Sequence, residues 1–569
     1  MSRNANSRFA TNPVRLDMSR SKFPRNFSHK TTFNAGQVIP FYVDEVLPGD
    51  TFQVRTSKVV RMQTLLTPVM DNVYLDTYYF FVPNRLVWEH WKQFMGENTE
   101  SAWIPQVQYE VPQLTAPSGG WSVGTLADYM GVPTGVANLS VNALPFRAYA
   151  LIMNEWFRSE NLTDPLNIPV DDATVTGVNT GNYVTDVAKG GMPYIANKFR
   201  DYMTACLPSP QKGVDVTLQT AQLGNAPVVS LNQAVDPNLS NAPVNVYSDL
   251  RYQSGGPDWQ GLGFRPVGLN SNAGDDLSVL SSSASSKIVS TPKPGDSSDS
   301  LLFGNLWAKF DNTVSVATIN QLRTAFQIQK FYERSARGGS RYIETLKAHF
   351  GVTSPDARLQ RPEYLGGNRI PISINQVIQN SGTVQNSTPL GDTGAMSLTT
   401  DVHSDFTKSF VEHGFVIGVM VARYDHTYQQ GLERFWSRKS MFDYYWPEFA
   451  NIGEMAVLNK EIFAQGNAKD DEVFGYQEAW ADYRYKPSRV SGEMRSQYKQ
   501  SLDVWHLADD YSKLPSLSDS WIREDPNPIN RVLAVSDNVS NQFFCDIYVQ
   551  NYTTRNMPLY SIPGLIDHH

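Results

Sequence analysis

The chain has 569 residues, of which 18% are charged and 12% aromatic, and its formal net charge is −8. The low charge content, with 38 glycines and 34 prolines, is typical of strands joined by long loops rather than of a helix-rich enzyme. The negative net charge argues against a general nucleic-acid binder. No apolar run approaches the roughly eighteen residues that would suggest a membrane span, so we expect no membrane insertion.

Positive charge is concentrated at the N-terminus, where residues 1–40 lack hydrophobic periodicity and predict a basic, extended arm. The cations in the first thirty residues are Arg3, Arg8, Arg15, Arg20, Lys22, Arg25 and Lys30. They are candidate contacts to DNA phosphates, and interleaved phenylalanines can stack on unpaired bases. The alternative is a structural arm whose charges meet carboxylates of neighbouring subunits, and one arm can do both. Because the arm lacks an apolar segment, it is not a secretory signal, and we expect a cytoplasmic protein.

Strands are predicted to begin near Ile39. Residues 54–62 and 73–82 have strand patterns, and the second is rich enough in aromatic and β-branched residues to be buried. Two helices are predicted next, over 85–95 with Asn84 as a cap, and over 145–160. We expect the tryptophans of these helices to pack in the core.

Residues 207–300 differ from the rest of the chain, because they are polar, weakly charged and poor in apolar runs. So long a stretch inside a compact domain is typical of a functional excursion. It still contains aromatic residues, including Tyr252, Trp259 and Phe264, so we expect it to fold when packed against neighbours.

A helical block is predicted after residue 318. Thr318 and Gln321 fit a capping box, and Gly338-Gly339 ends the first helix. Ser340 is the expected cap of a second helix that Gly351 ends. The apolar face of the first helix comprises Ile319, Leu322, Ala325, Phe326 and Tyr332.

Two late strands are predicted, over 413–424 and over 542–550, the second with clean alternation. Early and late strands separated by long excursions indicate a mainly β fold of the jelly-roll type, whose sheets pair strands that are distant in the chain. The two cysteines, Cys206 and Cys545, could pair with each other, but two cysteines do not make a disulfide framework in so long a chain, and we expect free thiols.

Several segments resemble the major capsid proteins of the Microviridae, small single-stranded DNA bacteriophages, and within them the gokushovirus branch. The segments are TINQLRTAFQIQKFYERSARGGSRYIETLKAHFGVTSPDARLQRPEYLGG (318–367), DNVYLDTYYFFVPNRLVWEHWKQFMGE (71–97), EHGFVIGVMVARYDHTYQQGLERFWSRKSMFDYYWPEFANIGE (412–454), VLPGDTFQV (46–54) and MPLYSIPGLIDHH (557–569). They span the chain from about residue 33 to its end, and 207–300 is the part without a match.

The resemblance implies an eight-stranded antiparallel jelly-roll with long, partly helical insertions. It divides the chain into the arm (1–40), a first jelly-roll part (41–206), a variable surface insertion (207–300) and the remaining strands with a C-terminal extension (301–569). Copies are expected to form a T=1 icosahedral shell around circular single-stranded DNA, with the insertion as a three-fold protrusion that meets the host. The candidate host contacts in that loop are Tyr252, Asp258, Trp259 and Phe264.

The implied partners are further copies of the chain, the packaged DNA, a small basic DNA-binding protein, an internal scaffolding protein, a pilot protein and a host-cell surface receptor. The implied location is the virion, assembled in the bacterial host cytoplasm. Two short motifs resemble enzyme motifs but do not support an enzyme. Ser19-x-x-Lys22 matches the motif of penicillin-binding enzymes but lies in the arm, and the glycine spacing of 261–268 does not fit a dinucleotide-binding loop. We therefore expect no enzymatic activity and no cofactor or metal. The rival interpretation is a β-rich carbohydrate-binding or phage surface protein.

Overall fold

The computed structural model describes residues 19–98, 107–216, 319–381 and 389–560, together with the backbone of short strands between residues 228 and 308. Residues 215–329 form one compact unit, and the described residues on either side of them form another. Among the described residues, no helix is long and apolar enough to cross a bilayer.

The larger unit contains an antiparallel sheet, here called sheet 1, in which the latest strand of the chain lies between early ones. The strands of sheet 1, numbered along the chain with those of its partner sheet, are β1 Ser21–Pro24, β2 Phe27–Phe33, β4 Thr51–Met62, β7 Thr399–Ser409 and β9 Phe543–Arg555. The central strand β9 pairs on one side with β1 and β2 and on the other with β4, which pairs with β7. Among the described residues strands already begin at Ser21, so the prediction that they begin near Ile39 was wrong.

The strands of the second antiparallel sheet, sheet 2, are β3 Ile39–Val46, β5 Val73–Pro83, β6 Glu363–Pro371 and β8 Gly414–Tyr424. Their order in the sheet is β6-β5-β8-β3. With β1 and β2 counted as one interrupted strand, eight strands are shared between the two sheets. The mainly β, antiparallel prediction is confirmed, and this strand order agrees with the jelly-roll that the resemblance implies.

Sheet 2 is buried on both faces. One face meets sheet 1 across a core that includes Phe52, Tyr79, Met420 and Phe543. The opposite face, which carries Ile417, packs against the segments between β5 and residue 196 in a second core. This double burial explains why β8 reads as an almost continuous apolar run rather than an alternating one.

The predicted helix over 85–95 is wrong, because the structure has only the short helices Asn84–Leu86 and Trp91–Phe94 there. The residue at the cap position is Pro83, and the buried side-chain oxygen of Asn84 accepts no hydrogen bond. Trp88 is buried, and its indole N–H donates to Asp172 at 2.6 Å, so tertiary contacts override the helical pattern. The prediction over 145–160 is confirmed in the main by Leu144–Ile152, which a π-helical turn continues.

The helical block has the two predicted helices, Ile319–Gly338 and Tyr342–Phe350, and Gly351 ends the second in the left-handed conformation. Ser340 does not cap that helix; the cap residue is Arg341, whose N–H donates to the Glu344 side chain at 3.1 Å. No residue of either helix is fully buried: on the predicted apolar face of the first, Ile319 and Phe326 are exposed, and the half-buried members are Leu322, Ala325 and Tyr332. Thr318 lies outside the described residues.

The remaining elements are short. The other strands of the larger unit are Gln113–Thr115, Ser140–Asn142, Val175–Thr176, Ile374–Ile378, Thr393–Ser397, Glu454–Leu458 and Val473–Glu478. Its other helical turns are Leu126–Tyr129, Met153–Phe157, Val187–Lys189, Arg434–Ser437, Met441–Asp443, Pro447–Phe449, Asn459–Ile462, Ala468–Asp471, Ala481–Tyr483, Gly492–Met494, Asp503–Trp505, Asp519–Ile522 and Asn527–Val532. Within residues 215–329, the described strands are Val228–Ser230, Asn245–Tyr247, Gly261–Gly263, Leu302–Phe303 and Leu306–Ala308.

A buried ionic cluster ties the end of β8 to the C-terminal third of the chain. The two ring nitrogens of His426 lie 2.9 Å from an Asp509 oxygen and 2.8 Å from a Glu524 oxygen. Burial lowers the pKa of His426, but the two carboxylates outweigh burial and raise it to about 10. Lys198 adds a second cation 3.5 Å from Asp509. The cluster is therefore a charged anchor inside the fold.

Candidate functional site

Four of the candidate DNA-contact residues lie in the described structure, and Arg3, Arg8 and Arg15 lie outside it. Arg25 donates to both oxygens of Asp44 at 2.7 Å, and the hydroxyl of Tyr42 donates to the same carboxylate at 2.9 Å. The guanidinium of Arg25 is thus committed to a protein partner, as in the structural-arm alternative. Arg20 is exposed and donates to the Gly49 carbonyl at 2.5 Å.

Lys22 and Lys30 point outward from sheet 1. The Lys22 ammonium lies 4.7 Å from the centre of the Tyr552 ring, a cation–π contact. Lys30 lies 3.6 Å from Asp546, but both side chains are mostly exposed, 72% and 56%, so the pair is weak. Both ammonium groups remain accessible to a polyanion.

The outward face of sheet 1 extends this charge. Strand alternation places Arg55 and Arg61 of β4 outward and exposed, opposite Gln550 and Phe544 of β9. Tyr548 and Tyr552 of β9 are 41% and 39% exposed on the same face. Among the described outward residues of sheet 1, Asp546 is the only acid. We call this surface the basic face; its members are Lys22, Lys30, Arg55, Arg61, Tyr548 and Tyr552.

The sequence-based prediction missed Arg55, Arg61, Tyr548 and Tyr552. Alternation along each strand was a usable signal for which side chains point outward. The sequence held no signal for the pairing of β9 with β4, because these strands lie almost five hundred residues apart in the chain. Only the paired sheet shows that these residues share one surface.

A groove of about 680 Å³ borders the basic face, between β2, β4, β9 and residues 123–129. Lys30 and Arg61 bring positive charge to it, and Asp128 and Asp546 bring negative charge. Burial lowers the pKa of His29 and raises that of Tyr129 to about 12. A groove of this size is comparable with small-molecule sites in proteins.

The candidate host contacts Tyr252, Asp258, Trp259 and Phe264 lie outside the described residues. Cys206 and Cys545 are buried free thiols. Burial raises the pKa of Cys545 to about 12, so that thiol is a poor nucleophile. Within the described residues, no group of three or more His, Cys, Asp or Glu side chains is placed to hold a metal ion.

Residues 432–452, here called the aromatic segment, expose an unusual amount of apolar surface. The exposed large side chains are Leu432, Phe435, Trp436, Met441, Phe442, Tyr444, Tyr445, Trp446 and Ile452. The segment is nevertheless held in place. Arg438 pairs with Asp482 and lies over the Tyr483 ring, 4.2 Å from its centre. A contiguous apolar patch on an ordered scaffold is typical of a protein–protein interface.

Comparison with known proteins finds similarity to capsid proteins along nearly the whole chain. The family model described as capsid protein (F protein) matches residues 13–565. The chain belongs to this capsid protein family. The capsid protein VP1 of Chlamydia phage 1 is 42% identical to it, over 98% of both chains. That of Spiroplasma virus 4 is 43% identical over 94% of both, and that of Bdellovibrio phage phiMH2K is 40% identical over 96% of this chain and 95% of the relative.

The resemblance to gokushovirus capsid proteins is thereby confirmed. This capsid protein is a structural component of the virion that assembles with copies of itself, and it is not an enzyme. Family membership decides against the carbohydrate-binding alternative. In a capsid, an exposed apolar surface such as the aromatic segment can be buried against a neighbouring copy of the chain.

Proposed function

We propose that copies of this capsid protein form a closed T=1 icosahedral shell around circular single-stranded DNA, in the cytoplasm of a bacterial host, with the basic face of sheet 1 turned toward the genome. The observation that carries the proposal is the combination on one surface of four cations, two exposed tyrosines and one acid. Cations neutralise phosphates without reading sequence, and tyrosine rings stack on unpaired bases of any identity.

Salt dependence of DNA binding tests the basic face directly. For single strands, each neutralised phosphate contributes about 0.7 to the slope of log K against log salt, so replacing Lys22, Arg55 and Arg61 by alanine lowers the slope by about 2. The measurement is the fluorescence anisotropy of a labelled oligonucleotide with the purified full-length protein at several salt concentrations. A charge-matched control replaces the exposed Lys469, Lys499 and Lys513.

The basic-face variant is expected to lose slope and affinity, whereas the control keeps both. Equal slopes in the two variants would contradict the proposal for this surface. Contacts by Arg3, Arg8 and Arg15 are proposed separately and call for deletion of residues 1–18. A deletion of 1–30 is unsuitable, because it also removes β1 and much of β2 from sheet 1.

We assign the arm, first jelly-roll part, insertion and remaining strands to 1–40, 41–206, 207–300 and 301–569, as proposed divisions, with β1 and β2 as the part of the arm segment that joins sheet 1. The insertion is proposed to form a three-fold protrusion that contacts a host receptor through Tyr252, Asp258, Trp259 and Phe264. The support is compositional, since this polar stretch interrupts a chain of buried strands.

An excision tests the host-contact role. It is best started after Val214, because the Leu207 N–H donates to the Tyr476 carbonyl at 2.7 Å within the larger unit. Replacing residues 215–300 by a short linker is expected to leave shells intact and to abolish adsorption to host cells. Adsorption at the unmodified level would refute the receptor role, and loss of shells would refute independence of the core.

The remaining proposed partners are a scaffolding protein, a small basic DNA-binding protein and a pilot protein. Electron cryo-microscopy of shells from cells that express the capsid protein with and without the scaffolding protein tests the T=1 geometry and this dependence together. Closed shells of sixty copies are expected only with the scaffold. Shells of another triangulation number would overturn the T=1 proposal.

A further inference from the structure

Lys58 occupies an unusual place, inside the core between the two sheets. It sits in β4 at a position whose neighbours on the same face, Thr56 and Val60, are buried, and its own side chain is only 1% exposed. An ammonium group taken out of water is destabilising unless charged or polar partners surround it. The identity of those partners therefore indicates what the lysine does.

Three strands besides β4 supply the partners. The Lys58 Nζ atom lies 2.7 Å from Oδ1 of Asn368 on β6, 3.0 Å from Oδ2 of Asp401 on β7 and 3.3 Å from Oγ1 of Thr77 on β5. Strand register fixes this set, because Asp401 is opposite Lys58 in sheet 1 and Asn368 is opposite Thr77 in sheet 2. Both sheets thus contribute polar partners to the Lys58 ammonium group.

The partners are arranged as a reactive set. The Asn368 amide Nδ2 donates to Oδ2 of Asp401 at 2.9 Å, so one carboxylate oxygen contacts both the amine and the amide nitrogen. The Thr77 hydroxyl donates to Asn368 Oδ1 at 2.8 Å. An ion pair alone needs only the lysine and the aspartate. Here a nucleophile, a carbonyl with hydrogen-bond donors on its oxygen, and a base beside both nitrogens meet in a buried site.

We propose that Lys58 and Asn368 join in an intramolecular isopeptide bond, with Asp401 moving the protons. Asp401 takes a proton from the Lys58 ammonium, and the freed lone pair of Nζ attacks Cγ of Asn368. Negative charge develops on Oδ1, where Thr77 donates a hydrogen bond. Asp401 delivers that proton to Nδ2 as the Cγ–Nδ2 bond breaks, and the second proton that Nζ loses passes through Asp401 to the released ammonia. An alkylammonium and a primary amide thereby become a secondary amide and ammonium, with no oxidant or further reactant.

The bond would connect β4 of sheet 1 covalently to β6 of sheet 2. It would do so in a chain whose two cysteines are free and buried, so that no disulfide holds the sheets together. A covalent link between distant residues restricts the unfolded chain in the same way that a disulfide does.

Mass spectrometry of the full-length protein tests the proposal. The intact mass is expected to fall short of the sequence mass by one ammonia. Trypsin is expected to release a branched peptide that joins residues 56–61 to residues 359–369, uncleaved after Lys58. Separate linear peptides, or an ammonia loss confined to one linear peptide as a succinimide, would overturn the proposal. This measurement does not depend on whether any variant folds.

Two variants assign the roles. Asp401→Asn is expected to retain the full sequence mass, because the base is lost while Lys58 and Asn368 are present. The matched control is Lys408→Gln, which removes a lysine that lies on β7 and pairs with Glu363 of β6 at 2.7 Å. The control is expected to keep the branched peptide. A branched peptide in Asp401→Asn at the wild-type level would remove Asp401 from the reaction.

Discussion

Replacing Gly418 with alanine tests how tightly the core between the sheets is packed. Gly418 lies in the middle of β8, and a Cβ atom there would stand 2.8 Å from Cε1 of Tyr79, 2.9 Å from Cβ of Tyr42 and 3.1 Å from Cζ of Phe41. All three contacts are shorter than ordinary van der Waals separations. The rings cannot easily retreat, because the Tyr79 hydroxyl bonds Thr56 at 2.6 Å and the Tyr42 hydroxyl donates to Asp44 at 2.9 Å.

Overpacking of this kind destabilises proteins by about 1–3 kcal/mol. Alanine recovers about 0.5–1 kcal/mol from its smaller conformational entropy in the unfolded chain. We therefore expect Gly418→Ala to lower the free energy of unfolding by about 1–2 kcal/mol. The assay is urea denaturation of the unassembled protein, followed by tryptophan fluorescence and near-ultraviolet circular dichroism.

Gly394→Ala is the matched control. Gly394 also lies in a strand, Thr393–Ser397, but the nearest atom to an added Cβ is the Val377 carbonyl oxygen at 4.0 Å. This variant is expected to be as stable as the wild type or slightly more so. If Gly418→Ala unfolds at the same urea concentration as Gly394→Ala, the three aromatic rings are free to move and the packing argument is refuted.

Three further outcomes are expected. The folded-state pKa of His426, about 10, exceeds its ordinary value of 6.5, so its stabilisation is complete below pH 6.5 and is lost as the pH rises toward 10. His426→Gln is expected to be less stable and to lose this dependence in urea titrations at pH 6, 8 and 10; an unchanged slope would contradict the ionic cluster. Asp44→Ala is expected to cost about 2 kcal/mol, because it removes the charged hydrogen bonds to Arg25 and Tyr42 while solvent screens the Arg25 guanidinium, and Asp546→Ala, an exposed-pair control, is expected to change urea stability little. Trp436→Ala, at an exposed position of the aromatic segment, is expected to leave the monomer as stable as before and to reduce the yield of shells in sedimentation; normal shells would exclude it from an interface.

Much of the larger unit was predictable from local pattern. The alternation over 542–550 correctly predicted that Phe543, Cys545, Ile547 and Val549 are buried. The aromatic run over 73–82 correctly predicted a buried strand, since both of its faces pack on apolar residues. Such patterns predict burial correctly because side chains alternate between the two faces of a strand, whichever strand pairs with it.

What failed depended on partners distant in sequence. The pattern of β1 and β2 looks like an unstructured arm until β9 is beside it. The helix over 85–95 was broken by the contact between Trp88 and Asp172. Lys58 was visible as a cation at an inward position of an alternating strand, but Asn368 and Asp401 could be placed beside it only by the sheet pairing.

The position of β9 has a consequence for synthesis of the chain. Because β9 lies between β2 and β4, sheet 1 has no centre until the ribosome has passed residue 555. During translation, the edges of β2 and β4 that β9 will cover are unpaired, and the inward faces of these strands lack their neighbour. The nascent chain can therefore complete this sheet only after β9 emerges. Until then its unpaired strand edges are open to aggregation, which chaperones prevent.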